Sequence, residues 1–183
     1  MNTATMDRNH AIIKRISELS NGDLAVLRRC NKNPLETERL LPILGKLGFL
    51  NSPERSLVAC LYAAYHAPGD QPYTNSKFNF GEAFQKAYNP DLKNDKDIRF
   101  RGLLATTDLN QLAYRLRQAT RLIKSKAGLI DFSILLRDLY SWNSDNKWVQ
   151  REWAKGYYSS FNNDQTTPPQ EDDPSFDDIE ENE

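Results

Sequence analysis

The sequence predicts an all-α protein, about eight to nine helices in two packed helical bundles, and three observations predict it. Residues that favour burial recur at three- and four-residue steps, as in Leu109, Leu112, Leu116, Ala119, Thr120 and Ile123, which is the period of a helix with one buried face. No segment shows sustained alternation of period two, and β-branched residues are sparse outside the helical patterns. Helix starts and stops also punctuate the chain. Ser52-Pro53-Glu54 supplies an N-cap hydroxyl, a proline at the first helical position and an acid in the first turn. Ser20-Asn21-Gly22 and Gly48 supply residues that tolerate the left-handed conformation at a helix end.

Taken in order, residues 10–20 form a first helix with Ile12, Ile13, Ile16 and Leu19 inward. Asp23 starts a short second helix that ends before Pro34. Residues 36–48 form a third, interrupted by Pro42 and stopped at Gly48. The helix begun at Ser52 runs to about His66 and buries Leu57, Val58, Leu61, Tyr62 and Tyr65. Residues 67–78 are a long polar loop containing Pro68, Gly69 and Pro72. Asn79 with Glu82 three residues later has the form of a capping box and opens a helix through Tyr88. Asn89-Pro90 begins a junction, and Asn94 or Asp95 caps a helix containing Ile98, Phe100, Leu103 and Leu104. Asp108 caps the next, which Gly128 ends. Asp131 caps another, with Phe132, Leu135, Leu136 and Leu139 inward. Ser144 caps the last, from Asp145 to about Phe161, with Val149, Trp153 and Tyr157 toward the core. The expected organisation is an N-terminal bundle over 1–90, a C-terminal bundle over 91–161 and a disordered acidic tail over 162–183.

The net charge of −1 hides a segregation of signs. Residues 163–183 hold nine acids and no Lys or Arg; without them 24 bases face 16 acids, a net +8 over residues 1–162. A basic body with an acidic tail points toward a polyanionic partner. No apolar run reaches the roughly 18 residues of a membrane span, and the N-terminus has no signal-peptide hydrophobic stretch, so a soluble, cytoplasmic protein without a membrane partner is expected. Cys30 and Cys60 lie in apolar helical runs without CxxC spacing and read as reduced core thiols. His10 and His66 have no partner at metal-ligand spacing. No phosphate-cradling glycine loop and no nucleophile elbow occur. The reading is therefore a non-enzyme with no cofactor, no catalytic residue and no metal.

The cations are where the chemistry lies. Residues 98–126 hold Arg99, Arg101, Arg115, Arg117, Arg121, Lys124 and Lys126 against one acid, Asp108. Tyr114, Arg117, Arg121 and Lys124 fall on one flank of the apolar face, with Arg115 and Lys126 on the other. Such a helix lacks the i,i+4 acids of an ordinary surface helix, so its counter-charge is expected from outside, with a merely solvated basic face as the alternative. Arg28, Arg29 and Lys32 cluster at the end of the second helix, where complementing that helix's dipole is an equal alternative. Lys147, Arg151 and Lys155 repeat every four residues along the last helix, with Tyr158 within the stripe as a candidate stacking platform. Arg55, in the first turn of the helix begun at Ser52, completes the candidate nucleic-acid contacts. Basic surfaces bordered by aromatics suit sequence-independent contact with phosphates and single strands. A helical adaptor whose charged faces dock only proteins is the alternative.

Several stretches together resemble the small subunit (CasB) of the type I-E CRISPR surveillance complex, Cascade. They are ELSNGDLAVLRRC, LGFLNSPER, LVACLYAAYHA, NFGEAFQKA, RFRGLLATTDLNQLAYRLRQATRLIKSK and LIDFSILLRDLYSWNSDNKWVQREWAKGYY, covering about residues 10–160. The resemblance implies an all-helical, two-lobed, non-catalytic subunit, present as a pair and bound to the backbone and large subunits of the assembly. Its basic surfaces would steady the guide RNA–target DNA heteroduplex and hold the displaced strand. The family's RR pair matches Arg28 and Arg29. Its basic block matches Arg99, Arg101, Arg115, Arg117 and Arg121, and its basic turn before the last helix matches Lys147 and Arg151. The loop at 67–78 and the acidic tail depart from the family's pattern.

Overall fold

The computed structural model describes residues 3–30, 33–67, 69–74, 78–87 and 95–159. Among them are nine α-helices and no strand: α1 (Thr3–Ser17), α2 (Asn21–Arg28), α3 (Leu41–Leu47), α4 (Pro53–Tyr65), α5 (Phe80–Ala87), α6 (Asp95–Leu104), α7 (Leu109–Ser125), α8 (Phe132–Tyr140) and α9 (Trp148–Tyr158). The expected junction at Asn89-Pro90, the cap at Asn94, the end of the fifth helix at Tyr88, Lys32 and the tail over 162–183 lie outside the described residues.

Most helix starts follow local side-chain chemistry. Ser20, Ser52, Asp108 and Asp131 each accept a backbone N–H of the first turn, satisfying amides that the helix itself cannot pair. Asn79 and Glu82 exchange bonds reciprocally, at 2.7 and 3.0 Å, as the capping-box spacing requires. Five boundaries differ from expectation. The first helix ends at Ser17 and the second begins at Asn21, not Asp23, so Asn21 and Gly22 form its first turn behind the Ser20 cap and neither is left-handed. The first helix begins at Thr3, well before residue 10. The stretch 36–48 divides: two short 3-10 turns (Pro34–Glu36 and Glu38–Leu40) precede α3, and Pro42 sits in the first turn of α3, where its missing N–H costs nothing. At the end of α7 the left-handed residue is Ala127, at φ 53°, one position before Gly128. There Gly128 N–H donates to Ile123 O and Ala127 N–H to Lys124 O, a Schellman closure built on alanine. The last helix starts at Trp148, not Asp145. Ser144 O closes a turn with Lys147 N–H instead of capping, and Lys147 takes the N-cap position in a left-handed conformation, φ 49°.

The helices pack as two bundles that share one continuous apolar core. The first groups α1, α2, α3, α4 and α8; the second groups α5, α6, α7 and α9. Packing crosses residue 90 in both directions: α8 lies on α1 and α4, while α5 lies on α7 and α9, and α7 also lies on α4. Every residue from Ser56 to Ala63 of α4 is buried, so this helix is enclosed on all sides. The α5–α9 crossing is close because Gly81 faces the backbone of Trp153 and Gly156 faces Glu82 and Asn79. Trp153 stacks on Phe80 at 4.8 Å, and its indole N–H donates to buried Asp138 at 2.7 Å. Cys30 and Cys60 are free and buried. A hydrogen bond with the Cys30 thiol, then burial, push the Cys60 thiol up.

Candidate nucleic-acid interface

The structure sorts the candidate cations into groups that helix periodicity alone does not separate. At the junction of α2, α4 and α7, three of them meet helix C-termini. Arg28 donates from Nε to Ala63 O at 2.8 Å and from Nη2 to His66 O at 3.1 Å, at the end of α4. Lys124 donates to Ala64 O at 3.3 Å on the same end. Arg117 donates to Cys30 O and to Arg28 O, closing the end of α2. These are carbonyls that have no partner within their own helices, and the dipole there favours a cation. Burial, then the neighbouring Arg121 charge, pull the Arg117 guanidinium below the ordinary arginine range. Arg28 and Arg117 are half-buried, whereas Arg29, Arg121 and Lys124 are exposed beside them.

A second group lies on the other flank of α7. Arg99 of α6 and Arg115 of α7 are exposed on the rim of a groove of about 380 Å³ whose floor is Phe84, Leu103 and Ala119. Tyr114 and Gln118 also line it, and Tyr114 is 61% exposed. Arg115 lies across Gly102, where an added Cβ would come within 2.6 Å of its Nη1. The sequence does not single out Gln118, and it places Tyr114 on the Arg117 flank, whereas in the structure Tyr114 borders Arg117 on one side and lines the groove beside Arg115 on the other. The i,i+4 spacing of Tyr114 and Gln118 beside Arg115 was the available signal, but the facing wall supplied by α6 was not.

The third group is the stripe Lys147, Arg151 and Lys155 on α9, all exposed. Its companion Tyr158 is engaged from inside, with ring contacts to Tyr157 at 4.9 Å and Phe100 at 6.3 Å. Arg55 stands apart from all three groups: its Nε donates to Tyr140 OH at 2.6 Å, with the guanidinium over that ring. Arg101 is exposed on α6, and Lys32 lies outside the described residues. Among the described residues no carboxylate forms an ion pair with Arg29, Arg99, Arg115, Arg121, Lys147, Arg151 or Lys155. Such cations keep their full capacity for external phosphates. Among the described residues no group of three metal-ligating side chains occurs, and no helix is long and apolar enough to cross a membrane.

The chain is similar to known proteins over the same region. A family model described as CRISPR-associated protein Cse2 matches residues 23–158. A CRISPR-associated protein Cse2 of Thermus thermophilus is 47% identical over 62 residues, a match spanning 34% of this chain and only 34% of that relative. The crystal structure of the CasB of M. ruber superposes with a TM-score of 0.67 at 29% identity, covering 87% of this chain and 97% of that one. A chain from a structure of a CRISPR RNA-guided surveillance complex shares the fold, with a TM-score of 0.68 at 22% identity and coverage of 87% and 96%. With the family model matched from α2 through α9, the chain belongs to the CRISPR-associated protein Cse2 family.

Proposed function

We propose that this protein is the non-catalytic small subunit of a type I-E Cascade-like, RNA-guided surveillance complex. In this reading its partners are the backbone and large subunits, a second copy of itself, the guide RNA and the target DNA. Its basic surfaces hold the phosphates of the guide RNA–target DNA heteroduplex and of the displaced strand. The observation that carries the proposal is the set of exposed cations Arg29, Arg99, Arg115, Arg121, Lys147, Arg151 and Lys155, which have no carboxylate partner among the described residues. Family membership and the fold shared with a chain of a surveillance complex support the same reading. Phosphate contact from several helices would add affinity without adding sequence preference, which suits a subunit that must serve any guide.

The α9 stripe offers the cleanest test, because among the described residues none of its three cations carries a side-chain hydrogen bond. A guide-loaded assembly carrying Lys147→Ala, Arg151→Ala and Lys155→Ala is compared with the unaltered one for target-DNA retention across salt concentrations. The expected result is weaker retention and a salt dependence flatter by about one unit of slope for each phosphate no longer neutralised. Thymines of the displaced strand should also become more reactive to permanganate. An unchanged slope with unchanged reactivity would assign this face to protein docking instead.

A further inference from the structure

We propose that the groove between α6 and α7 receives one unstacked base of single-stranded DNA, with Arg99 and Arg115 holding the phosphates on either side. The proposal deepens the reading above and rests on it. An unstacked nucleotide presents two apolar faces, a polar edge and an anionic backbone, and the groove offers a counterpart to each. Its floor of Phe84, Leu103 and Ala119 is buried and apolar. Tyr114 projects at the rim with 61% of its surface exposed, which leaves a ring face open for stacking. Gln118, one turn further on, carries both a donor and an acceptor, which lets it meet the edge of any base.

The two guanidiniums are placed by the fold. Arg99, Gly102 and Leu103 occupy one face of α6, and Tyr114, Arg115 and Gln118 the facing side of α7. Gly102 leaves the space in which Arg115 lies, since a Cβ there would meet its Nη1 at 2.6 Å. Neither Arg99 nor Arg115 forms an ion pair with a carboxylate among the described residues. A volume of about 380 Å³ is in the range of small-ligand clefts. A stacked base pair cannot enter such a slot, so its occupant is an unstacked base, of the kind that the displaced strand in the reading above presents along its length. An acidic peptide would engage the two arginines but leave the aromatic rim and apolar floor unfilled.

The test uses the full chain and two probes of equal length: oligothymidylate, and a wholly abasic sugar-phosphate strand. The unaltered protein should prefer oligothymidylate by about tenfold at low salt. Tyr114→Ala should abolish that preference while leaving affinity for the abasic strand unchanged. Gly102→Ala, which displaces Arg115 but suits a helix, should weaken both probes. Arg151→Ala should weaken both probes and keep the preference. Photocrosslinking with 5-iodouracil in the strand should map to Tyr114. Melting curves verify that each variant is folded. Equal affinity of the unaltered protein for both probes, or a crosslink elsewhere, overturns the base pocket while leaving phosphate binding intact. Absence of salt-sensitive binding to either probe overturns the pocket and the broader reading together. Capture of polyglutamate that Gly102→Ala weakens, without preference between strands, assigns the groove to protein.

Discussion

Arg117 reaches from α7 to two carbonyls at the end of α2, and Arg28 from α2 to two carbonyls at the end of α4. Each cation therefore joins two elements through groups that the helices cannot satisfy themselves. Arg117→Ala would leave those acceptors unpaired in a half-buried site, so a loss of about 2–3 kcal/mol is expected in urea unfolding. Arg121→Ala, one turn away and exposed, should stay within about 0.5 kcal/mol. Equal unfolding midpoints for the two variants would show that Arg117 is not a structural clamp. His66 lies at the same corner, buried and stacked on Tyr62 at 4.2 Å, its Nε2 without a hydrogen-bond partner among the described residues. Burial lowers its pKa from the ordinary 6.5; Lys124 adds to the lowering, while Asp70, 3.7 Å from Nδ1, opposes it. The unfolded chain thus takes up a proton that the folded chain refuses. Stability from this residue should be complete above pH 6.5, decline as pH falls through that value, and level off below the folded pKa. Urea midpoints of the unaltered protein and His66→Phe between pH 5 and 8 measure it, and parallel curves would remove His66 as the cause.

At the scale of elements, the α5–α9 crossing depends on what is missing from two side chains. A Cβ on Gly81 would stand 2.0 Å from Trp153 O, a backbone atom that cannot swing aside. Gly81→Ala must therefore push α9 away from α5, disturbing the stack of Phe80 on Trp153 and the indole bond to Asp138. The expected cost is about 3 kcal/mol, at the upper end for overpacking, despite the better helix propensity of alanine. Thermal unfolding followed by tryptophan fluorescence checks it, and a melting temperature within a degree of the unaltered protein would refute the close crossing. Gly102→Ala provides the contrast. There the obstructing atom is the far end of Arg115, which can move, so the fold should tolerate a change that the groove does not.

Across the whole molecule, the basic surfaces are carried by helices of both bundles, with α7 touching each. Against this body of net +8 the chain attaches nine acids within residues 163–183. Covalent attachment raises the effective concentration of those acids toward the cations, so Coulomb attraction would let them compete with the loosely held nucleic acid of the proposed function. Deleting residues 163–183 is expected to strengthen binding of a random-sequence oligonucleotide to the isolated protein at low salt. The difference should fade toward physiological ionic strength, because screening weakens both kinds of contact. Superimposed titrations at low salt would leave the acids a role in solubility alone.

The helices, their caps and the inward faces of α4, α7, α8 and α9 were legible in the sequence, because periodicity and capping act over three or four neighbouring residues. So was the excess of cations on α7 and α9, since a missing i,i+4 acid is visible in one dimension. The start of α9 was less legible: Ser144 has the right side chain for a cap, but the chain turns once more before the helix begins. What only the tertiary structure decided is which cations face outward. Arg117 and Arg121 share one flank in sequence, yet one ends among the carbonyls of α2 and the other in solvent. The groove, too, exists only because α6 comes to lie against α7 with Gly102 beneath Arg115. A sequence records which groups can donate; where the unpaired carbonyls of distant helices come to rest depends on how those helices pack, and that is set by the shared core rather than by neighbours along the chain.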